Sequence, residues 1–246
     1  MRALPYSELP PRYHRWKWRV LLSFCGFYLF LYLGRFNFWP IAPLVQEDLV
    51  LTHLEIGLIN ALLLWGFGLG DLVHGRLAEA YGLRLWVLGG AVLTTVFNWV
   101  TSYGGSAMSI AIPWGIAGFV NAACWSPGIS MLSQWWPRRD RGVAMGILGT
   151  FTGGAMLLMW WVSGFVGAEF GWRAAFRYPP LIITLMGVAF FLLARDRPTD
   201  VGLPEYVEDD EVSAAPEAIA PERLKGLGPY KELLRNPRFQ LASHVK

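Results

Sequence analysis

One arginine and two tyrosines share a helical spacing inside the first long apolar segment. Tyr28, Tyr32 and Arg35 lie at positions i, i+4 and i+7, which places them on one face of an α-helix. A guanidinium group presents a planar fork of donors to a carboxylate or phosphate, and phenols can add hydrogen bonds. The spacing predicts an anion-binding face. The alternative is an arginine that reaches the far membrane interface, with the tyrosines as interfacial aromatic residues.

A second polar pair lies in the next apolar segment. Asp71 and His74, at i and i+3, share a helix face. The carboxylate can take up a proton, pair with a base or accept a hydrogen bond from a substrate hydroxyl group. The pair therefore predicts either a gating or proton-transfer role or a polar contact between two helices. Close packing of this segment against a neighbour is predicted by its glycines, Gly66, Gly68, Gly70 and Gly75.

The other reactive side chains form no pattern for catalysis. The histidines are scattered along the chain, and the two cysteines, Cys25 and Cys124, lie inside apolar segments as small hydrophobic residues. No nucleotide-binding loop, metal-ligand cluster or nucleophile-base set occurs in the sequence. We therefore expect no metal, no cofactor and no enzymatic activity.

Six long apolar segments carry these residues. Of the 246 residues, 54% are hydrophobic and 16% charged, whereas soluble domains are about a quarter charged. Each segment approaches or exceeds the roughly 20 residues that cross a bilayer. The sequence predicts an all-α membrane protein whose surroundings are the lipid bilayer. The predicted spans are Val20–Val45, Ile56–Leu77, Leu85–Ser102, Ala107–Trp136, Gly142–Gly167 and Trp172–Ala194.

The first span must include Arg35. The uncharged residues 20–34 extend only about 22 Å as a helix, too short to cross the membrane. We therefore predict a continuous helix through Arg35 to Val45. The arginine is then held inside the membrane, where an unpaired charge costs about 2.5 kcal/mol or more.

The basic residues fix the predicted orientation. The N-terminal tail holds five Lys or Arg, the loop after span two has two, the loop after span four three, and the segment after span six eight. Together these are 18 of the 21 basic residues, all on one side of a six-span arrangement. Cytoplasmic loops carry such an excess, so both ends are predicted to be cytoplasmic, in the inner or plasma membrane. This bias explains the net charge of +3 without a nucleic-acid partner.

Composition divides the chain into four predicted parts. A cytoplasmic tail at 1–19 precedes the six-span bundle at 20–195. An acidic, proline-containing cytoplasmic linker follows at 196–235, and 236–246 begins a truncated seventh helix.

The loop between spans two and three carries a family resemblance. Its sequence, Gly75-Arg-Leu-Ala-Glu79-Ala-Tyr-Gly82-Leu-Arg84, resembles the corresponding loop of the major facilitator superfamily. Glu79 replaces the aspartate of that loop, and Ala80 replaces its first basic residue. The resemblance implies the N-terminal six-helix half of that fold. It also implies that Glu79 and Arg84 belong to a gate at the cytoplasmic ends of the helices. The full set of predicted gating or proton-transfer candidates is Asp71, His74, Glu79, Arg84 and Arg141.

Several further segments resemble the organophosphate:phosphate antiporter family in order along the chain. They are Tyr32–Phe38, Trp114–Pro127, Trp135–Gly142, Gly171–Phe176 and Arg195–Pro204.

This second resemblance implies a substrate-binding role for Arg35, together with an arginine of a seventh span. It also implies a cavity lined by Tyr28 and Tyr32. Asn121, Trp125 and Thr152 complete the predicted substrate-binding set, although Asn121 and Thr152 are also typical of helix packing. Two basic groups of the family pattern are replaced here, one by Phe36 and one by Thr152.

These features predict half of a secondary transporter for small organic anions, either organophosphates or carboxylates, working by alternating access. The alternative is a membrane sensor that binds such an anion and transports nothing. The partner of this six-helix unit is predicted to be either a missing C-terminal six-helix half or a second copy of the chain.

Overall fold

The computed structural model describes residues 4–207, apart from the side chain of Arg76. The predicted linker beyond residue 207 and the predicted helix start at 236–246 lie outside the described residues. The elements, in chain order, are β1 Leu4–Pro5, α1 Pro11–Leu31, α2 Phe38–Asp48, α3 His53–Tyr81, α4 Leu83–Ser102, α5 Ala107–Ala122, α6 Ser126–Trp135, α7 Arg138–Phe170, α8 Trp172–Arg177, α9 Pro179–Leu193 and β2 Tyr206–Val207.

Six stretches of these helices are long and apolar enough to cross a membrane, which confirms the predicted number of spans. They are Pro11–Asp48, His53–Gly75, Leu83–Thr101, Ala107–Trp135, Arg138–Phe170 and Trp172–Leu193. Three of them consist of two helices in series: α1 with α2, α5 with α6, and α8 with α9. The first begins at Pro11, so residues 11–19 of the predicted tail are helical.

The prediction of a continuous first helix is wrong. α1 ends at Leu31, a 3-10 turn covers Tyr32–Gly34, and α2 starts at Phe38. The carbonyl of Gly34 accepts a hydrogen bond from Asn98 Nδ2 at 2.9 Å instead of continuing the helical pattern. A Cβ on Gly34 would lie 2.6 Å from Cδ1 of Ile183. The break therefore depends on the third and sixth spans packing tightly against it.

The fourth span is broken as well, between α5 and α6 at residues 123–125. Pro127 stands in the first turn of α6. Because proline has no backbone N–H, a continuous helix would leave the carbonyl of Ala123 without its partner. The proline thus accounts for the interruption.

The second and fourth spans cross at very short distance. A Cβ on Gly66 would lie 2.1 Å from the carbonyl oxygen of Gly115, and one on Gly70 would lie 2.4 Å from that of Phe119. The close packing predicted from the glycines is confirmed at these two positions. It does not extend to Gly68, where a Cβ would meet no atom within 4 Å.

One end of the bundle is called the basic end here. It consists of the chain segments 4–19, 136–142 and 195–207, and their positive charges predict that it is cytoplasmic. β1 and β2 pair in parallel there, with Leu4 opposite Tyr206. The Tyr13 hydroxyl donates to the carbonyl of Trp135 at 2.9 Å, and Trp135 Nε1 donates to the carbonyl of Arg195 at 2.9 Å. These contacts join the N-terminal segment, the end of span four and the segment after span six.

Candidate functional site

Arg35 lies at the break of the first span, surrounded by aromatic side chains. Its Nη1 donates to the hydroxyl of Tyr28 at 3.2 Å. The guanidinium carbon is 3.7 Å from the ring centroid of Phe67, 5.0 Å from that of Phe36 and 5.6 Å from that of Tyr32. It forms no salt bridge with any carboxylate of residues 4–207. No carboxylate of residues 4–207 therefore occupies the N–H donors of Arg35, and these donors can bind an external anion.

Tyr28 connects the break of span one to the break of span four. Its ring centroid lies 5.1 Å from that of Trp125 and 5.7 Å from that of Tyr32. The structure therefore brings together four of the predicted substrate-binding residues: Arg35, Tyr28, Tyr32 and Trp125. Interrupted helices that meet inside a bundle are the usual setting of substrate sites in secondary transporters.

The other two predicted substrate-binding residues make packing contacts. Asn121 is fully buried, and its Nδ2 lies 3.5 Å from Thr94 Oγ1 of α4. Thr152, half-buried on α7, donates from its hydroxyl to the carbonyl of Leu148 at 2.9 Å in its own helix. Among residues 4–207, neither forms a hydrogen bond with Arg35, and the hydrogen bonds that they form are typical of helix packing.

A buried amide pair supports the break and was missing from the predicted site. Asn37 Nδ2 donates to Asn98 Oδ1 at 3.0 Å and to the carbonyl of Ala175 at 3.1 Å. Asn98 in turn donates to the carbonyl of Gly34. Both asparagines are fully buried. Since buried amides require partners, two asparagines in apolar spans are the signal that could have revealed this contact.

Asp71 and His74 each bind a neighbouring helix. Asp71 accepts a hydrogen bond from the hydroxyl of Ser126 in span four. Trp86 Nε1 lies 3.1 Å from His74 Nδ1, and His74 Nε2 lies 3.0 Å from the carbonyl of Phe119. Because an indole N–H can only donate, Nδ1 must be the acceptor, and these contacts assign the neutral Nε2-protonated tautomer. The arrangement favours the helix-contact interpretation of this pair over the gating one.

Arg84 joins the third and sixth spans through reciprocal capping. Its backbone N–H and that of Leu83 each donate to the carboxylate of Asp196 at 3.0 Å, at the start of α4. Its guanidinium lies 3.4 and 3.5 Å from the carbonyl oxygens of Phe191 and Ala194, at the end of α9. A negative group thus faces a helix start and a positive group a helix end, as the helix dipole favours. The capping role of Asp196 was not predicted from the sequence. Glu79, the other residue predicted for this gate, has an exposed side chain.

Arg141 caps the end of the fourth span. Its Nε donates to the carbonyl of Trp136 at 3.0 Å, and Nη2 donates to that of Ser133 at 3.3 Å. The hydroxyl of Tyr206 donates to the same two carbonyl oxygens, at 3.1 and 2.8 Å. Arg141 therefore stabilises the loop between spans four and five.

A buried lysine at the basic end has a full set of partners. Lys17 Nζ lies 2.9 Å from Asp140 Oδ2 and 3.8 Å from the ring centroid of Trp136. It also donates to the hydroxyl of Tyr6, which itself donates to Asp140 at 3.0 Å. Burial and the neighbouring carboxylate raise the pKa of Tyr6 to about 12. Asp140, Lys17 and Tyr6 form one connected group, called the Lys17 cluster below.

Comparison with known proteins supplies a family match. A family model described as Major Facilitator Superfamily matches residues 24–244. Among curated proteins, a "Probable hexose phosphate transport protein" of Chlamydia pneumoniae is 27% identical over 195 residues, covering 78% of this chain and 42% of that protein. The "Membrane sensor protein UhpC" of Salmonella typhimurium is 26% identical over 242 residues, covering 96% of this chain and 54% of that protein.

A third relative and one solved structure extend these matches. The "Phosphoglycerate transporter protein" of Salmonella typhimurium is 24% identical, covering 82% of this chain and 44% of that protein. The crystal structure of a bacterial homolog of the human lysosomal transporter Spinster matches with a TM-score of 0.68 and 16% identity. The match covers 92% of this chain and 50% of that one, and it shows a shared fold. The chain spans about half the length of the curated relatives it matches.

Proposed function

Because the chain belongs to the major facilitator superfamily, we propose that it is the six-helix substrate-binding unit of a secondary transporter for small organic anions. It is a multi-pass membrane protein with the fold of half such a transporter, and its family is one of transport proteins, not enzymes. In the proposed mechanism, Arg35 binds the anion near the middle of the membrane. The six-helix unit then rocks against a partner unit to expose the site to each side in turn.

The observation that carries this proposal is the absence of an acidic partner for Arg35 among residues 4–207. A guanidinium held inside a bundle without a carboxylate is costly, and an incoming anion removes that cost. The phenol of Tyr28 and the ring of Phe67 keep the group in place without neutralising its charge. The donors that remain on the guanidinium suit a carboxylate or a phosphate.

Two observations bear on the substrate class. The names of two relatives, a hexose phosphate transport protein and a phosphoglycerate transporter, favour an organophosphate. The ring of Phe36 beside Arg35 and the hydroxyl of Thr152 on α7 supply no second positive charge, which favours a carboxylate. The proposed class therefore includes both kinds of anion, with Arg35 as the shared ligand.

The test is anion binding by the purified chain, with radiolabelled glucose 6-phosphate, 3-phosphoglycerate and succinate as probes. We expect at least one probe to bind and Arg35→Gln to weaken that binding about 100-fold, since a charged hydrogen-bonding group is lost. The exposed Arg15 provides the matched control. Arg15→Gln removes the same charge and should leave affinity unchanged. Binding that survives Arg35→Gln, or no binding of any probe, would overturn the proposal.

A sensor function is the second candidate, because the relative named as a membrane sensor protein matches across 96% of this chain. A sensor binds its anion at the same site without moving it. Proteoliposomes loaded with the bound probe separate the two functions. Counterflow of label supports the transporter, whereas binding without counterflow supports the sensor.

The proposed transporter requires a second six-helix unit, supplied by a C-terminal half or by another copy of this chain. α3 and α7 are suited to contact that unit because they are the least covered spans. Only 17% and 22% of the most apolar stretch of these two helices is buried, against 33% to 67% in the other four spans. Crosslinking of the purified chain in membranes tests the second-copy option. Dimers linked through α3 or α7 would support it, and a purely monomeric pattern would exclude it.

A further inference from the structure

Three arginines and a tryptophan form a stripe on the first turns of α1. Arg12, Arg15, Trp16 and Arg19 are spaced i, i+3, i+4 and i+7, so they share one helix face. The three arginines are exposed and Trp16 is half-buried. This stripe lies at the basic end, outside the site proposed around Arg35.

A fourth arginine, Arg195, follows the sixth span and also contacts the ring of Trp16. The guanidinium carbon of Arg19 lies 4.6 Å from the ring centroid of Trp16, and that of Arg195 lies 5.9 Å from it. The indole is itself stacked on the fully buried Trp135, with ring centroids 6.3 Å apart and an interplanar angle of 23°. The positive charges of Arg19 and Arg195 therefore both lie beside the indole of Trp16, and the stacking of this indole on buried Trp135 fixes its position.

These charges are not balanced within the described part of the chain. Arg12, Arg15, Arg19 and Arg195 form no salt bridge with any residue of 4–207. Arg195 donates to the carbonyls of Leu192 and Ala194. Asp196, its neighbour in sequence, has both carboxylate oxygens committed to the start of α4. A cluster of guanidinium groups of this kind attracts an anion with several acceptor oxygens.

The depth of the cluster identifies the anion. Arg19 directly precedes the uncharged run that starts at Val20, and Arg195 directly follows Ala194, the predicted end of span six. This position in the sequence predicts that both guanidinium groups lie near the membrane interface, within reach of lipid phosphates in the headgroup region. Just inside this border, Leu22 and Leu192 are 52% and 61% exposed and can contact acyl chains. An indole at this level is typical of a membrane interface.

We propose that Trp16, Arg19 and Arg195 form a binding site for the phosphate of an anionic phospholipid, between the first and sixth spans at the basic end. The acyl chains lie along the exposed leucines, and Arg12 and Arg15 add long-range attraction to the headgroup. Basic pockets between spans on the cytoplasmic side bind headgroups of this kind.

The test measures cardiolipin and phosphatidylglycerol binding to the purified full chain by native mass spectrometry in mild detergent, with phosphatidylcholine as the uncharged reference. We expect Arg19→Gln to weaken binding of the anionic lipids about fivefold, the contribution of one guanidinium near an anionic surface. Arg139, whose side chain is 76% exposed at the basic end and lies 3.6 Å from Asp140, is the control for net charge, and Arg139→Gln should leave affinity within twofold of the original. Because Arg19 is exposed, its replacement should not impair folding.

A second pair of variants removes the ring without changing charge. Trp16→Leu should weaken anionic lipid binding, whereas Trp18→Leu, at an indole that packs on Trp136 instead, should not. Equal losses for Arg19→Gln and Arg139→Gln would show that only net charge matters and would overturn the proposal. Equal effects of the two tryptophan variants would do the same. If inorganic phosphate binds and is lost in Arg19→Gln while lipid affinity stays unchanged, the site takes free phosphate and the lipid assignment is wrong.

Discussion

The Lys17 cluster and the surroundings of Arg35 treat a buried cation in opposite ways. Lys17, whose side chain is 6% exposed, has a carboxylate, a phenol and an indole ring as partners. Arg35 has one phenol and several aromatic rings, with no acid among residues 4–207. A charge compensated inside the chain stabilises the fold, whereas a charge left uncompensated is available to a ligand. The contrast separates a structural cation from a binding cation, and each of the following predictions tests it.

The largest effect is expected on stability at the Lys17 cluster. Lys17→Met removes the closer of the two cations beside Asp140, leaving the Tyr6 hydroxyl at 3.0 Å and Arg139 Nε at 3.6 Å, and should lower the free energy of unfolding by about 3 kcal/mol. Thermal or denaturant unfolding in detergent measures this change. The double variant Lys17→Met with Asp140→Asn should recover part of the loss, because it leaves no half-buried carboxylate behind and Arg139, the other cation beside it, is 76% exposed. Arg35→Met, by comparison, should leave stability unchanged or raised, and a loss as large as that of Lys17→Met would contradict the distinction between the two cations.

The next effect concerns the break that positions Arg35. Asn98→Ala removes the donor to the carbonyl of Gly34 and an acceptor for Asn37. Leaving buried groups unpaired should cost about 2 kcal/mol of stability and should weaken anion binding as well, since Arg35 loses its fixed position. Thr150→Ala on α7, where the exposed hydroxyl donates to the carbonyl of Gly146 in its own helix at 3.1 Å, serves as a comparison. If binding is unaffected in an Asn98→Ala protein that remains folded, the break is not needed to hold Arg35.

A smaller effect is expected at the ring that covers Arg35. Phe67→Leu removes the contact at 3.7 Å, which should reduce anion affinity about three- to fivefold by the usual worth of a cation–π contact. A series of fluorinated phenylalanines at position 67 keeps the shape and weakens the ring's negative face in steps. Affinity measured on that series should fall in the same order. A flat series would mean that Phe67 acts only by its volume.

The smallest expected effect is the change of stability with pH that Tyr6 causes at the basic end. The pKa of Tyr6 is raised from its ordinary value of 10.0 to about 12 in the folded chain, so the folded state holds this proton more tightly. The stabilisation is complete below pH 10 and is lost as pH rises through about 12. Tyr6→Phe should flatten this alkaline decline in an unfolding series at several pH values. Retention of the full decline in Tyr6→Phe would assign it to other groups.

The sequence predicted the larger features because they depend on local composition. Six apolar segments and a one-sided charge distribution are enough for the number of spans, and a helical spacing was enough to place Tyr28 beside Arg35. The break at Gly34 was missed because its cause, Asn98, lies 64 positions away. Asp196 and Phe67 were missed for the same reason, since each acts on a helix distant in sequence. Asn121 was predicted for the cavity from the resemblance of Trp114–Pro127 to a family motif. Its Nδ2 lies 3.5 Å from Thr94 Oγ1 of α4, and its place in the cavity stays a prediction.

The dependence of Gly34 on Asn98 also sets an order for synthesis. While the first span leaves the ribosome, the residues that support its break, Asn98 in span three and Ala175 in α8, do not yet exist. Its exposed carbonyl and Arg35 are then poorly suited to lipid, where unpaired backbone groups are costly. We therefore expect the first span to remain beside the insertion machinery, or to wait at the membrane surface, until the third span arrives. In nascent chains stopped after span two, a photocrosslinker in the first span should label the insertion machinery, and in chains stopped after span three it should label lipid or the third span instead.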